Sequence, residues 1–305
     1  MDEEFNTPVL LILFNRPGHA RRVLNRIRER KVRNLYVAVD GPRINNIDDK
    51  NNVEECIKLS DEIDWPCVVT KLVRERNLGC RSAVSSAIDW FFSKVEEGII
   101  LEDDCLPDLS FFAFCHELLG VYVNEPKVMH IAGANIYKKQ VWSDSTYFFS
   151  NIPHIWGWAT WRRAWKLYDV NMHDYHQFRD SGIIEKIVNN PQSVKYWYNE
   201  FNGTYLGKID TWDYQWVYTI WKNQGLCIIP NQNLITNIGF DEHGTHTVVD
   251  SDIANLPTVA INVKTIKHPE ILEINKDAVK YAFANLYQLP SWWKTKISNL
   301  KRRLF

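Results

Sequence analysis

The sequence Gly98-Ile-Ile-Leu-Glu-Asp-Asp-Cys-Leu-Pro-Asp108 ends an apolar run, Ile99-Ile100-Leu101, in three consecutive carboxylates, Glu102, Asp103 and Asp104. Adjacent carboxylates repel one another, so a cation among them lowers their energy. A hard divalent metal with oxygen ligands is the first candidate. The competing reading is a solvated acidic turn, disfavoured because an apolar strand leads straight into the acids. A further acid, Asp213, stands in Thr211-Trp-Asp-Tyr-Gln-Trp216. It could serve as a base, or it could simply favour the first turn of a helix capped by Thr211. Asp241-Glu-His-Gly-Thr-His-Thr247 brings His243 and His246 into one Gly-containing polar loop. That loop could close over a phosphate or metal, and could equally be a surface loop.

These residues need a scaffold. Pro8-Val-Leu-Leu-Ile-Leu-Phe14 reads as a central parallel strand, broken by Asn15-Arg-Pro-Gly18. A helix with Ala20, Val23, Leu24 and Ile27 on one face follows, then a strand over 35–39 ending at Asp40. Residues 43–52 read as polar loop, with a helix over 53–63 and a third strand over 67–73. Arg74-Glu-Arg-Asn-Leu-Gly-Cys-Arg81 opens a helix over 82–95. Arg76, Arg81 and that helix start would together attract an anion such as a phosphate. The acidic strand is fourth and is followed by a helix capped near Asp108. A fifth strand over 128–134 ends at Asn135. This β-α-β rhythm predicts an α/β fold with a doubly wound, mostly parallel sheet and helices on both faces. Ligands then bind at the strands' carboxyl ends, where Asn15, Arg16, Asp40 and Asn135 stand. Farther on, Ile152-Pro-His-Ile-Trp-Gly-Trp-Ala-Thr-Trp161 leads into a predicted helix to Tyr168. Helices over 183–189, 193–202 and 211–223 and strands over 226–230 and 234–239 complete the reading.

Composition narrows the function. The 305 residues are 45% hydrophobic, enough for a large core, and include 13 Trp, 13 Tyr and 14 Phe. Such aromatics stack on sugars or nucleobases, and also simply fill cores. A formal net charge of −1 argues against nucleic acid as a partner. Six scattered Cys without a CxxC pair disfavour a zinc site or disulfide framework and fit a reducing compartment. The acidic start reads as no signal peptide, and no apolar run is long enough to span a membrane. Residues 291–305 carry five of the 36 Lys and Arg and no acid, which leaves 31 basic against 37 acidic residues elsewhere. With Trp293, Ile297, Leu300 and Leu304 on one helical face, this tail reads as an anchor to an anionic membrane surface. A solvated or packed terminal helix is the alternative.

A parallel sheet with polar strand ends, an Arg-bearing loop and a carboxylate cluster suits a nucleoside diphosphate. No Gly-x-Gly-x-x-Gly follows a strand, and no P-loop motif occurs, which disfavours nicotinamide and P-loop nucleotide sites. A metal on the diphosphate would stabilise a leaving nucleoside diphosphate, and an Asp from the second half would supply the base.

In the order of the strand over 9–14, Asp40, Ile99-Ile-Leu-Glu-Asp-Asp104, Trp156-Gly-Trp158, Trp212-Asp213 and residues 235–247, the chain resembles the GT-A glycosyltransferases. It is most similar to the N-acetylglucosaminyltransferase I family and its bacterial relatives. The resemblance implies a GT-A fold over residues 7–250, with a nucleotide-sugar half over 7–135 and an acceptor-side half over 136–250. Residues 251–305 then form a C-terminal extension. It implies a UDP-sugar donor, commonly UDP-N-acetylglucosamine, with Mn2+ or Mg2+, and inversion at the anomeric carbon. The acceptor class is a glycan or lipid-linked sugar. Carried over by position, Asp104 meets the metal, Asp103 and Glu102 touch ribose and sugar, and Asp40 meets the uracil. Arg16 lies near the nucleotide, and Asp213 is the base. The His243 and His246 loop covers the diphosphate, with His246 a possible second metal ligand. Where the family has Trp-Asp-Asp-Trp, this chain has Trp212-Asp-Tyr-Gln-Trp216, so Asp210 competes with Asp213 for the base role. Such an enzyme would act in the cytoplasm, peripheral to the inner face of the cell membrane. A sugar nucleotidyltransferase and a non-catalytic carbohydrate-binding protein are the other readings.

Overall fold

The computed structural model describes residues 5–137, 141–240 and 253–288. In chain order these form β1 (Val9–Leu13), α1 (Pro17–Glu29), β2 (Asn34–Val39), α2 (Ile47–Leu59), β3 (Val68–Val73), α3 (Gly79–Phe92) and β4 (Glu97–Glu102). Next come β5 (Cys105–Pro107), α4 (Leu109–Val121), β6 (Val128–Ala132), β7 (Tyr147–Ser150) and β8 (Trp158–Trp161). Then follow α5 (Arg162–Trp165), α6 (Tyr175–Asp180), α7 (Ile183–Val188), α8 (Pro191–Tyr205), α9 (Asp213–Lys222), β9 (Leu226–Pro230), β10 (Ile235–Asn237) and α10 (Lys276–Asn285).

Eight strands make one sheet in the order β3-β2-β1-β4-β8-β6-β9-β7. β1, β2, β3 and β4 run parallel, as do β6 and β9. β8 runs antiparallel between β4 and β6, and β7 antiparallel along the β9 edge. The fold is therefore α/β with a mostly parallel sheet. Alternation along the strands divides the core. Val9, Leu11 and Leu13 face one apolar layer with residues of α1, α2 and α4. Leu10 and Ile12 face another with residues of α3, α8, α9 and α10. Helices thus cover both faces, and strands buried on both sides read as continuous apolar runs.

Two differences from expectation bear on the site. The helix predicted over 53–63 begins earlier, at Ile47. Asn46 caps it through a bond from the Asp49 amide to Oδ1 (3.0 Å), and Asp48 and Asp49 fill its first turn. Trp158-Ala-Thr-Trp161, read only as leading into a helix, is the central antiparallel strand. Its partners Ile99, Ile100, Ile131 and Ala132 lie far away in sequence, and such pairing overrides local preference.

Gly157 makes this insertion possible. It has φ +59°, and a Cβ there would lie 2.5 Å from Cδ1 of Ile235 and 3.2 Å from Cδ2 of Leu101. Gly157→Ala is expected to cost about 1–3 kcal/mol through backbone strain and overpacking. Urea unfolding of the variant measures this; an unchanged midpoint would contradict it.

Candidate active site

Parallel pairing sets the carboxyl ends of β1 and β4 side by side, with Ile12 opposite Glu102. The loop after β1 therefore meets the acids after β4. The NH2 nitrogen of Arg16 donates to Oδ1 of Asp103 in a short ion pair and to Oδ2 of Asp104 at 3.1 Å. The cation among the three acids is thus a residue of the chain itself. Burial works against the charged guanidinium, but the charges of Asp103 and Asp104 more than reverse this and raise its pKa.

The acids are not equivalent. Glu102 is pushed up to about 8 by burial and by the charges of Asp104 and Asp103, with Arg16 pulling back and Asp213 adding repulsion. Asp103, 3% exposed, is also raised, burial outweighing the pull of Arg16. Asp104 is less enclosed than Asp103, with 16% of its side chain exposed against 5%. Its Oδ1 accepts from the Cys105 thiol (3.4 Å), and its backbone carbonyl accepts the Ile238 amide (2.8 Å). That second bond extends the β5–β10 pairing and brings Gly239 against the ion pair. A Cβ on Gly239 would fall 2.3 Å from Oδ2 of Asp104 and 2.9 Å from the NH1 nitrogen of Arg16. Sequence reasoning missed this glycine, although it closes the apolar run read there as a strand.

Asp213 begins α9. Thr211, expected to cap the helix, does not: Trp212 is the N-cap and makes no side-chain cap bond. The Thr211 hydroxyl instead donates to Oδ1 of Asp213, which also accepts the Tyr214 amide at 2.9 Å. Two donors on one oxygen orient this carboxylate. Trp212 stacks on Trp158 at 5.6 Å and 16°, and its carbonyl accepts the Tyr168 hydroxyl (3.0 Å). Trp158 is paired with Ile100 of the acidic strand. The two tryptophans therefore fix α9 relative to β4, and Asp213 adds to the charge that Glu102 feels.

Asp210 is employed elsewhere. Its carboxylate accepts the amides of Cys80 (3.0 Å) and Arg81 (3.1 Å) at the start of α3. Gly79, with φ +77°, makes room, since a Cβ there would lie 2.8 Å from Oδ2 of Asp210. The anion seated on this helix start is thus the chain's own Asp210. Arg81, expected beside a phosphate, turns its guanidinium to the carbonyl of Val170. Cys80 lies where the charges of Glu102, Asp213, Asp210 and Asp104 all raise its thiol pKa, after burial as the main cause. The two acidic halves meet around it.

The remaining predicted site residues hold loops. Asp40 accepts from Nδ2 of Asn77 (2.8 Å) and the Leu78 amide (3.1 Å), binding the loop after β3 to the end of β2. Burial raises its pKa, and the amides of Leu78 and Gly41 and the charge of Arg74 offset part of the rise. Arg76 is exposed, with its backbone against Gly41, where a Cβ would clash at 2.4 Å. Asn15 donates to Oδ1 of Asp49 (2.7 Å). Asn135 donates to the carbonyls of Pro230 (2.8 Å) and Asn231 (3.2 Å) and accepts the Tyr137 amide, tying β6 to β9. His243, His246 and the basic tail lie outside the described residues.

A metal can be tested against this donor set. Among the described residues no group of three His, Cys, Asp or Glu side chains is arranged to hold one. Asp104 is the open carboxylate, and Gly239 gives its Oδ2 a close backbone wall. This fits a hard cation held by one carboxylate and substrate phosphates, not a closed protein cage.

No family model and no curated protein matches the chain. Solved structures similar to it include a cytidylyltransferase from Leptospira borgpetersenii serovar Hardjo-bovis (strain JB197). The identity is 14% over 54% of this chain and 64% of that one, with a TM-score of 0.32. The chain thus spans less than two thirds of that protein's length. Mouse xyloside xylosyltransferase 1 in its apo form is similar at 11% identity over 70% of this chain and 81% of that one, with a TM-score of 0.34. Among the described residues no helix is long and apolar enough to cross a membrane.

Glu102 yields a pH test. A carboxyl raised in the folded state contributes stability below its unfolded value of 4.5, and that stability is lost as pH rises through about 8. With chelator present, urea midpoints of the wild type should fall more steeply from pH 5 to 8.5 than those of Glu102→Gln. Parallel profiles would contradict the assignment.

Proposed function

We propose that the chain is a metal-dependent glycosyltransferase of the GT-A type that moves a sugar from a UDP-sugar to a glycan or lipid-linked acceptor with inversion. The observation that carries this reading is the approach of Asp213 to the acids at the end of β4. One side of the site offers a cation-binding carboxylate, Asp104, and the other an oriented carboxylate, Asp213. The sheet order, with an antiparallel strand beside β4, accords with a GT-A fold over residues 7–250.

In this reading the donor's diphosphate lies at the carboxyl ends of β1 and β4. Asp104 would hold Mn2+ or Mg2+, which when bound neutralises charge on the leaving diphosphate oxygen. Arg16, already among the acids, turns toward the phosphates as their negative charge arrives. Asp103 and Glu102 face ribose and sugar. Asp213, oriented by Thr211 and the Tyr214 amide, takes the proton of the acceptor hydroxyl. That oxygen bonds to the anomeric carbon as the bond from that carbon to the diphosphate oxygen breaks. A single displacement of this kind inverts the centre. Asp210 is the weaker choice for the base, because its carboxylate already accepts two amides of α3. A nucleotidyltransferase would want a phosphate-binding loop after β1. Here Asn15-Arg-Pro-Gly18 instead turns Arg16 onto the acids and starts α1 with Pro17. The basic sequence of residues 291–305 supports action at an anionic membrane surface on the cytoplasmic side.

Turnover of UDP-sugars with manganese tests the reading. Asp213→Asn should lower transfer at least about a hundredfold while UDP still binds, the usual scale for loss of a general base. Asp104→Ala should remove the metal dependence of UDP binding. Full transfer by Asp213→Asn, or unchanged metal dependence in Asp104→Ala, would overturn it.

A further inference from the structure

Asp49, in the first turn of α2, is 2% exposed, yet its carboxylate is charged and fully used. Oδ1 accepts from Nδ2 of Asn15 (2.7 Å) and from the NH2 nitrogen of Arg43 (2.8 Å). Oδ2 accepts from Nε of Arg43 in a short ion pair and from the Arg43 amide (3.3 Å). The hydrogen bonds from Arg43 hold this carboxyl below its ordinary range, so at neutral pH it only accepts. A carboxylate has about four lone-pair sites, and here every one is taken. Asp49 therefore has nothing left for a ligand.

The two residues that it clamps keep what it does not use. A carboxylate cannot donate, so the Asn15 amide turns its NH2 to Asp49 and its Oδ1 away. That Oδ1 has no partner among the described residues and is not sealed from solvent. A guanidinium has five N–H donors, and Arg43 commits only one on Nε and one on NH2 to the carboxylate. Both donors of NH1 and the outer one of NH2 remain. The Arg43 side chain is 52% exposed, and its guanidinium carbon lies 5.6 Å from the centre of the Phe14 ring. An exposed arginine gives up rotamer freedom when it is pinned, and a planar fork pinned in this way is preorganised for a flat ligand. Asn15 and Arg43 thus present an open acceptor beside open donors, referred to one oxygen of Asp49. They stand where a nucleotide would put its base. β1 lies between β4 and β2, so the ends of β4 and β2 are two strand spacings, about 10 Å, apart. Arg16, next after Asn15, already meets the acids of β4. Phosphates at those acids leave the base over the end of β1 and the loop after β2. Asp40, expected to meet the uracil, is instead spent on Asn77 and the Leu78 amide. On its pairing edge uracil sets a carbonyl oxygen beside N3–H, whereas cytosine sets O2 beside a bare N3 lone pair. The first edge complements donors beside an acceptor; the second puts a lone pair against Oδ1 of Asn15.

We propose that Asn15 and Arg43 read the uracil edge of the nucleotide, Oδ1 of Asn15 accepting from N3–H and the Arg43 guanidinium donating to the neighbouring carbonyl, with Asp49 the positioning residue for both. The proposal rests on the nucleotide-sugar reading and adds to it the residues that select uracil over cytosine.

Calorimetric titration of the full chain with UDP, CDP and inorganic pyrophosphate, each with Mn2+, tests this. The wild type should bind UDP at least about tenfold more tightly than CDP, the scale of one hydrogen bond. Arg43→Ala and Asn15→Ala should each weaken UDP about tenfold, narrow its lead over CDP and leave pyrophosphate binding unchanged. Asp49→Ala should narrow the same lead, a change that mere loosening of the loop would not produce. A cooperative melt shows that each variant is folded, and Asn15→Ala keeps the test open should Arg43→Ala lose its melt. Equal binding of UDP and CDP by the wild type would overturn the proposal. So would an equal loss of UDP, CDP and pyrophosphate in Arg43→Ala, which marks a charge effect alone. If the wild type prefers UDP and the folded variants keep that preference, the assignment to Asn15 and Arg43 falls and the nucleotide-sugar reading stands. If no nucleoside diphosphate binds the wild type, both fall. If uracil is selected as stated but no UDP-sugar is turned over, the base-reading pair stands and the glycosyl-transfer reading falls.

Discussion

The ion pair from Arg16 to Asp103 and Asp104 is the constraint on which the site depends. Three adjacent acids at the end of a buried strand could not stay together without compensating charge. Parallel pairing of β1 with β4 delivers that charge from the neighbouring strand end. The arrangement leaves the acids unequal. Asp103 is enclosed by the pair, Glu102 is held toward its protonated form, and Asp104 keeps the more open position beside Gly239. In the proposed function, a cation arriving with a diphosphate would compete with Arg16 for one carboxylate without dismantling the cluster.

The second constraint is aromatic. β8 enters the sheet antiparallel, beside the acidic strand, and its Trp158 stacks on Trp212. This contact carries α9, and with it Asp213, to the acidic strand end. The same helix sends Trp216 through His130 to the backbone of His154. Asp213, Asp104 and the backbone of His154 are thereby referred to one piece of sheet. In the proposed function, preorganisation of this kind would let the acceptor oxygen and Asp213 meet without reordering the protein around them.

Much of the scaffold was legible in local pattern. Apolar runs such as Val9-Leu-Leu-Ile-Leu13 and Ile99-Ile-Leu101 announced strands buried on both faces, and the abrupt acids after Leu101 announced a cation. What local pattern could not carry was pairing at long range. Trp158-Ala-Thr-Trp161 has the look of a helix start until Ile100 and Ile131 are set on either side of it. Thr211 has the residue type of a cap, yet its hydroxyl has a better partner in Asp213. Asp210 looked like a rival base, and its engagement by α3 depends on amides 129 and 130 positions away. The open carbonyl oxygen of Asn15 was invisible for the same reason: only the carboxylate of Asp49, 34 positions away, decides which way its amide turns.

The central claim is that the acids at the end of β4 receive a divalent cation together with a nucleoside diphosphate. A crystal structure of the chain with UDP and Mn2+, phased to locate manganese by its anomalous signal, tests this most directly. The account predicts a manganese peak on the carboxylate of Asp104, bridged to diphosphate oxygens, with Arg16 drawn toward the phosphates. UDP bound with no manganese at Asp104, or manganese bound away from the β4 end, would contradict it.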